Sequence, residues 1–297
     1  MDDPVYVLGH SEQELQRLRR QAQLIAPATR LFLCEGGLGA GMRVLDVGSG
    51  AGDVAFLAAG LVGETGEIIG TDKSPAAVAA ANARARAQGL RHVSFHEGDP
   101  AYLSFERSFD AVIGRYVLLF QSDASAMLRQ LLRHLRGGGL VVFHEPDWHS
   151  ARSIPSVPTY DRCCRWVQQT FARAGTDTNM AGRLYQALVE AGLSNPTLRM
   201  QTFIGGGVQC ADYLQAVADL VGSMLPAMEQ HGVASAAEVD YPTLAVRMQQ
   251  ETMSRKSLII GRSEIGAWAR LPADRADARS ARQIEASAKQ KSDRQGR

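Results

Sequence analysis

Apolar residues in the first half of the chain fall into short continuous runs separated by stretches with helical spacing. The runs MRVLDVG (42–48), GEIIGTD (66–72), HVSFHEGD (92–99), FDAVIGRYVLL (109–119) and GGLVVFHEP (138–146) have the length and apolar density of strands buried on both faces. Between them, AGDVAFLAAGLV (51–62), SPAAVAAANARARAQG (74–89) and DASAMLRQLLRHLR (123–136) predict helices. Ser74 and Pro75 suit an N-cap and first turn, and Gly89 a helix stop. Strands that alternate with helices predict an α/β fold with a parallel sheet and right-handed crossovers.

The flanking segments follow other patterns. Residues 11–26, SEQELQRLRRQAQLIA, open with Ser11 and Glu14 in a capping-box arrangement and predict a helix. Pro27 and TRLFLCEGG (29–37) predict a second, short one closed by Gly36 and Gly37. After Pro146 the periodicity loosens: DWHSARSIPSVP (147–158) reads as a proline-punctuated loop, followed by helices over 159–174 and 180–191. The last two strands of the core sheet are expected near 197–204 and 258–270, with helices around 210–227 and 240–254 inserted between them. From 272 the chain is polar and mixed in charge, the composition of a disordered or marginally helical tail. The expected organisation is therefore an N-terminal helical cap (1–40), an α/β domain (41–271) with a helical insertion at about 208–255, and a tail (272–297).

Composition narrows the partners. The 297 residues are 45% hydrophobic and 21% charged with a formal net charge of +1, so no global attraction to nucleic acid or anionic membrane arises. The basic residues of the tail are interrupted by acids and lack interleaved aromatics, which argues against a nucleic-acid partner. The opening MDDPVYVLGHSEQEL has no basic region followed by an apolar stretch, and no window of about 18 apolar residues occurs, so neither secretion nor membrane spanning is expected. Cys34, Cys163, Cys164 and Cys210 show neither metal-ligand spacing nor a disulfide framework, which fits a reduced cytoplasmic setting.

The chemistry concentrates in VLDVGSGAGD (44–53). The dinucleotide fingerprint G-x-G-x-x-G would require glycine at 53, but Gly48, Gly50 and Gly52 are followed by Asp53, whose charge discourages a pyrophosphate. Asp46 suits a cationic ligand group. Asp72, at the end of the second strand, suits the two hydroxyls of a ribose, and Asp99, at the end of the third, an exocyclic adenine amine. These residues resemble the class I S-adenosylmethionine-dependent methyltransferases over roughly residues 42–146, and YVLGHSEQELQRL and GAWAR are similar to a bacterial small-molecule branch of that family.

The resemblance implies a Rossmann-like, mostly parallel seven-stranded sheet with helices on both faces, the N-terminal helices and the insertion forming a lid. It implies S-adenosyl-L-methionine as cofactor, with VLDVGSGAG around its amino-acid end, Asp72 on the ribose, Asp99 on the adenine, and Gly114 and Arg115 under the methionine. Lys73 is a candidate contact through its aliphatic stem. Pro100 departs from the family, because the residue after the adenine-binding acid usually donates an N–H and proline has none; Ala101 is the substitute donor.

His144, Glu145 and His149 crowd the end of the fifth strand and are the candidate catalytic residues. Alternation puts His144 and Glu145 on opposite faces, so no metal site is expected. The function expected is methyl transfer to a small organic acceptor, secondary-metabolite or quinone-like, at oxygen, carbon or nitrogen, with a homodimer as the candidate assembly. The alternatives are a cofactor-binding protein of this fold that transfers no methyl group, such as a cyclase or interaction module, and a nicotinamide-dependent oxidoreductase, against which the glycine spacing counts.

Overall fold

The computed structural model describes residues 12–100, 102–176 and 178–273, and the side chains from residue 22 onward. Ser11 of the expected capping box, Ala101 and nearly all of the 272–297 tail lie outside the described residues. Five parallel strands, β1 (Arg43–Val47), β2 (Glu67–Asp72), β3 (Val93–Glu97), β4 (Phe109–Arg115) and β5 (Leu135–Asp147), run in the spatial order 3-2-1-4-5. β8 (Leu258–Arg270) is antiparallel to β5, and its other edge carries β7 (Thr197–Gly206), also antiparallel.

Seven strands were expected and the sheet has eight. The addition is β6 (Arg152–Ile154), inside the segment read as a loop. It pairs with residues 258–260 of β8, while Asp147 at the end of β5 pairs with Ser263, so β6 continues β5 along the same edge after a short break.

Residue alternation sorts the core into two layers. Leu45, Val112, Val141 and Phe143 face α4 (Ala124–Leu131) and α6 (Met180–Glu190), while Val44, Ala111, Ile113 and Val142 face α2 (Asp53–Val62), α3 (Pro75–Ala87) and the N-terminal helix α1 (Glu12–Gly36). A third cluster joins α5 (Pro158–Arg173), α7 (Ala211–Gln230) and α9 (Tyr241–Arg255) around Tyr160, Met224 and Met248, with the single turn α8 (Ala236–Val239) between α7 and α9.

Local signals explain most boundaries. The Ser74 hydroxyl accepts the Ala77 N–H at 3.3 Å to cap α3, and Gly89, at φ +69°, follows its end. Two predicted boundaries are corrected. The two N-terminal helices are one, since Pro27 sits exposed inside α1 while Ala22, Ile25, Thr29, Phe32 and Leu33 bury a continuous stripe. That burial outweighs the roughly 3 kcal/mol penalty of an interior proline. The fourth strand stops at Arg115 rather than Leu119, because Tyr116 turns left-handed at φ +59° and the chain enters a short 3₁₀ turn over Leu118–Phe120.

Candidate active site

The strand order reverses between β1 and β4, and the crevice beyond the strand ends there is where open α/β sheets place ligands. Gly48, Gly50 and Gly52 all have positive φ (+61°, +53° and +90°), which carries the chain sharply from β1 into α2. Neighbouring elements brace the turn. Ser49 N–H donates to the Thr71 carbonyl at 2.9 Å, and Arg84 of α3 donates to the Ala51 carbonyl at 2.6 Å and pairs with Asp53 at 2.9 Å.

The three glycines differ in what surrounds them. A Cβ on Gly52 would lie 2.7 Å from the Phe95 ring and 2.9 Å from that of Phe56, and one on Gly48 2.8 Å from Val117, whereas one on Gly50 would meet nothing within 4 Å. Gly50→Ala is therefore expected to cost only the left-handed backbone penalty, about 1–2 kcal/mol. Gly52→Ala adds overpacking of about 1–3 kcal/mol. Urea unfolding of the two variants checks the difference, and equal losses would mean that the rings beside Gly52 yield freely.

Asp46 is buried, and neither carboxylate oxygen finds a hydrogen bond of ordinary geometry. Burial pushes its pKa up to about 8, against the downward pull of the Arg115 guanidinium and the Ala55 N–H. Asp72 accepts the Gly50 N–H on one oxygen and the Ser74 N–H on the other, both at 2.8 Å, which fixes its plane at the mouth of the turn. Lys73 Nζ lies 3.3 Å from Asp99, so these two residues meet each other. The buried Pro100 is held by its carbonyl, which accepts the His134 Nε2–H at 2.7 Å.

At the ends of β4 and β5 the catalytic candidates separate. His144 is buried on the α1 side, in edge-to-face contact with Phe32, with Nδ1 3.2 Å from the Thr29 hydroxyl and Nε2 2.9 Å from Glu264. Burial lowers its pKa, favouring the neutral ring. Thr29 also accepts Arg115 Nη1–H at 3.2 Å, so α1 reaches into the crevice. Glu145 faces the other layer, where one oxygen accepts the Val117 and Leu118 N–H groups at 3.0 and 2.8 Å. It braces the turn after β4, and burial raises its pKa to about 8. His149 is exposed and contacts Asp147 at 3.2 Å, in a local turn. Among the described residues, no group of three or more His, Cys, Asp or Glu side chains is arranged to hold a metal ion.

Sequence reasoning missed the polar cluster next to His144. Glu264 of β8 accepts from Tyr116 Oη–H at 2.6 Å, from His144 Nε2–H at 2.9 Å and from Arg262 Nε–H at 2.8 Å. Burial would raise the Glu264 pKa, but Arg262 and His144 hold it down to about 2. Arg262 also donates to Tyr116 Oη at 2.8 Å, and Tyr213 of α7 accepts the Arg262 backbone N–H at 2.9 Å. The available signal was Arg262 and Glu264 two residues apart in the otherwise apolar strand LIIGRSEIGAWAR, and so on one face.

Comparison with known proteins places these features in context. The family described as "Methyltransferase domain" matches residues 38–192. The chain is 40% identical over 190 residues to 2-phytyl-1,4-naphthoquinone methyltransferase of Synechococcus elongatus, covering 62% of this chain and 78% of that protein. It is 37% identical over 119 residues to aklanonic acid methyltransferase of Streptomyces, covering 40% of this chain and 54% of that one. Against several of the curated relatives it matches, the aligned region spans only about half of their length or less. The crystal structure of the [4+2]-cyclase SpnF shares the fold with a TM-score of 0.51 at 21% identity, covering 83% of this chain and 81% of that one.

Proposed function

The chain belongs to the class I S-adenosylmethionine-dependent methyltransferase family, and from that premise we propose that it transfers the methyl group of S-adenosylmethionine to a small, quinone-like or secondary-metabolite acceptor. The observation that carries this reading is the turn after β1: a buried Asp46 whose oxygens are without a hydrogen-bond partner, followed by Gly50, whose missing side chain leaves open space. A buried carboxylate without a partner is costly unless a ligand supplies one. The ammonium of a bound amino acid answers that need, and a ribose fits the remaining lone pairs of Asp72.

On this reading, Asp46, Gly48, Gly50 and Gly52 surround the amino-acid end, Asp72 takes the ribose, and Asp99, steadied by Lys73, takes the adenine. Pro100 supports that end through its fixed carbonyl rather than through an N–H. Arg115 closes the methionine side beside Asp46. The cofactor supplies an already electrophilic methyl group, so the protein has chiefly to orient the acceptor and exclude water. His144 and Glu145 are positioning residues here: His144 ties α1 and β8 to the strand ends, and Glu145 holds the turn that presents Tyr116. The proposed organisation is a cap over 1–40, a methyltransferase domain over 41–271 and a tail over 272–297, with α7 to α9 as the acceptor-side cover and the cytoplasm as the setting.

Asp46 gives this reading a pH signature. Its folded pKa of about 8 lies above the unfolded value of 3.8, so its contribution to stability is full below about pH 4 and is lost as pH rises towards 8. Pairing with an ammonium selects the carboxylate, so cofactor affinity should rise up to about tenfold per pH unit below 8 and level off above. Binding at pH 7 should release close to one proton, measurable by calorimetry in buffers of different ionisation enthalpy.

Titration with S-adenosylmethionine, S-adenosylhomocysteine and NADH, followed by transfer of labelled methyl to naphthoquinol and polyketide acceptors, tests the function itself. Binding of NADH alone would sink it. Cofactor binding without transfer across the panel would favour a non-transferring member of the fold.

A further inference from the structure

Arg262 is overbuilt for a structural ion pair. Its side chain is only 10% exposed, with Nε–H on Glu264 and one Nη2–H on Tyr116. Glu264 already receives two further donors, from Tyr116 and His144. The Nη1 amino group has no partner among the described residues. Nη1 is not among the buried atoms left without a partner, so it keeps accessible surface and is a donor open to an acceptor from outside the fold.

Its location says which molecule that is. Ser263 pairs with Asp147, the last residue of β5, so Arg262 stands one step beyond the edge where the parallel strands end. Tyr116, which it bonds, directly follows Arg115 on the methionine side of the crevice. From the opposite direction α7 contributes Tyr213, which places Arg262 where the α/β layers meet the inserted helices. The guanidinium carbon lies over the Tyr116 ring, 5.3 Å from its centroid, and over that of Trp148 at 5.1 Å, so the two rings hold the fork in place.

The local charge balance selects the sign. Arg115 and Arg262 are permanent cations, Glu264 is held in its charged form and burial raises Glu145 to about 8, while the charge of Asp46 is offset by the ammonium proposed to pair with it. The crevice therefore carries an excess positive charge on the acceptor side.

We infer that Arg262 is the acceptor-recognition residue, its free Nη1 edge binding an anionic, ring-conjugated oxygen of the quinone-like acceptor while Tyr116 and Trp148 hold the guanidinium. The inference rests on the proposed methyl-transfer reading and names the class of acceptor. Such an acceptor reaches the site already deprotonated. As a lone pair of that oxygen forms the bond to the methyl carbon, the S–CH₃ electron pair returns to sulfur, the opposite charges cancel and no proton is left over. That matches a site in which both nitrogens of His144 and both oxygens of Glu264 are committed to other groups.

The test uses the full chain saturated with S-adenosylhomocysteine, titrated at pH 7 with 2-hydroxy-1,4-naphthoquinone, which is an anion there, and with its neutral 2-methoxy analogue. The anion should bind at least tenfold tighter. Arg262→Gln should abolish that preference while leaving S-adenosylhomocysteine affinity within twofold, and Arg262→Lys should retain part of it. Equal binding of the two probes to the wild-type protein, failure of the anion to bind, or a preference that survives in Arg262→Gln would overturn the inference. Should Arg262→Gln fail to fold, the wild-type comparison and Arg262→Lys still decide. Failure of S-adenosylhomocysteine itself to bind would remove the functional reading, whereas its binding without anion preference removes only the role of Arg262.

Discussion

Glu264→Leu is expected to lower the unfolding free energy by about 3–5 kcal/mol, the usual penalty for removing one partner of a buried pair. Three donors converge on this carboxylate, and its loss leaves Arg262 as an uncompensated cation in the interior. Arg262→Met in the same chain should restore most of the loss, since an apolar pair of similar volume carries no desolvation debt. Urea unfolding at neutral pH measures both. A loss under about 1 kcal/mol in the single variant would mean that water or a side-chain shift readily solvates Arg262. The sign of the pH dependence opposes that of Asp46: the pKa of Glu264 is depressed from 4.5 to about 2, so its contribution is present above 4.5 and is lost as pH falls towards 2.

The second large effect concerns binding. Asp72→Ala should weaken S-adenosylhomocysteine binding about 100-fold, ~2.7 kcal/mol, as charge-assisted bonds to the ribose hydroxyls disappear. The same carboxylate holds the Gly50 and Ser74 N–H groups, so the variant also releases the turn that the ligand must approach. Asp72→Asn separates the two contributions. Its amide oxygen can still brace one N–H, but it brings no charge, so an intermediate affinity is expected by calorimetry. Unchanged affinity in Asp72→Ala would place the ribose elsewhere.

The α/β half was legible because burial on both faces imposes continuous apolar strands, and each crossover carries its own cap or glycine. The acids proposed to hold the cofactor were legible for a related reason: Asp46, Asp72 and Asp99 each stand at a fixed offset from a recognisable strand end. The proposed acceptor side was not. Thr29, Tyr116, Tyr213, Arg262 and Glu264 meet across as many as 235 positions of chain, and no local period announces such a meeting. Pro27 misled in the opposite way, because a strong local breaker lost to a buried stripe that only the folded sheet supplies. His144 was singled out for its place at the end of β5, but its two partners come from α1 and β8 and cannot be read from its neighbours.

Gly206 and Leu258, the last residue of β7 and the first of β8, are direct cross-strand partners. Paired residues of antiparallel strands stand only about 5 Å apart at Cα, so everything between them leaves and rejoins the sheet through one doorway. A two-residue turn spans that gap, and foreign helical segments with adjacent ends fit it equally well. The helical region α7 to α9, proposed to cover the acceptor, is thus a cassette joined to the sheet at one place, and exchanging it would cut no core strand.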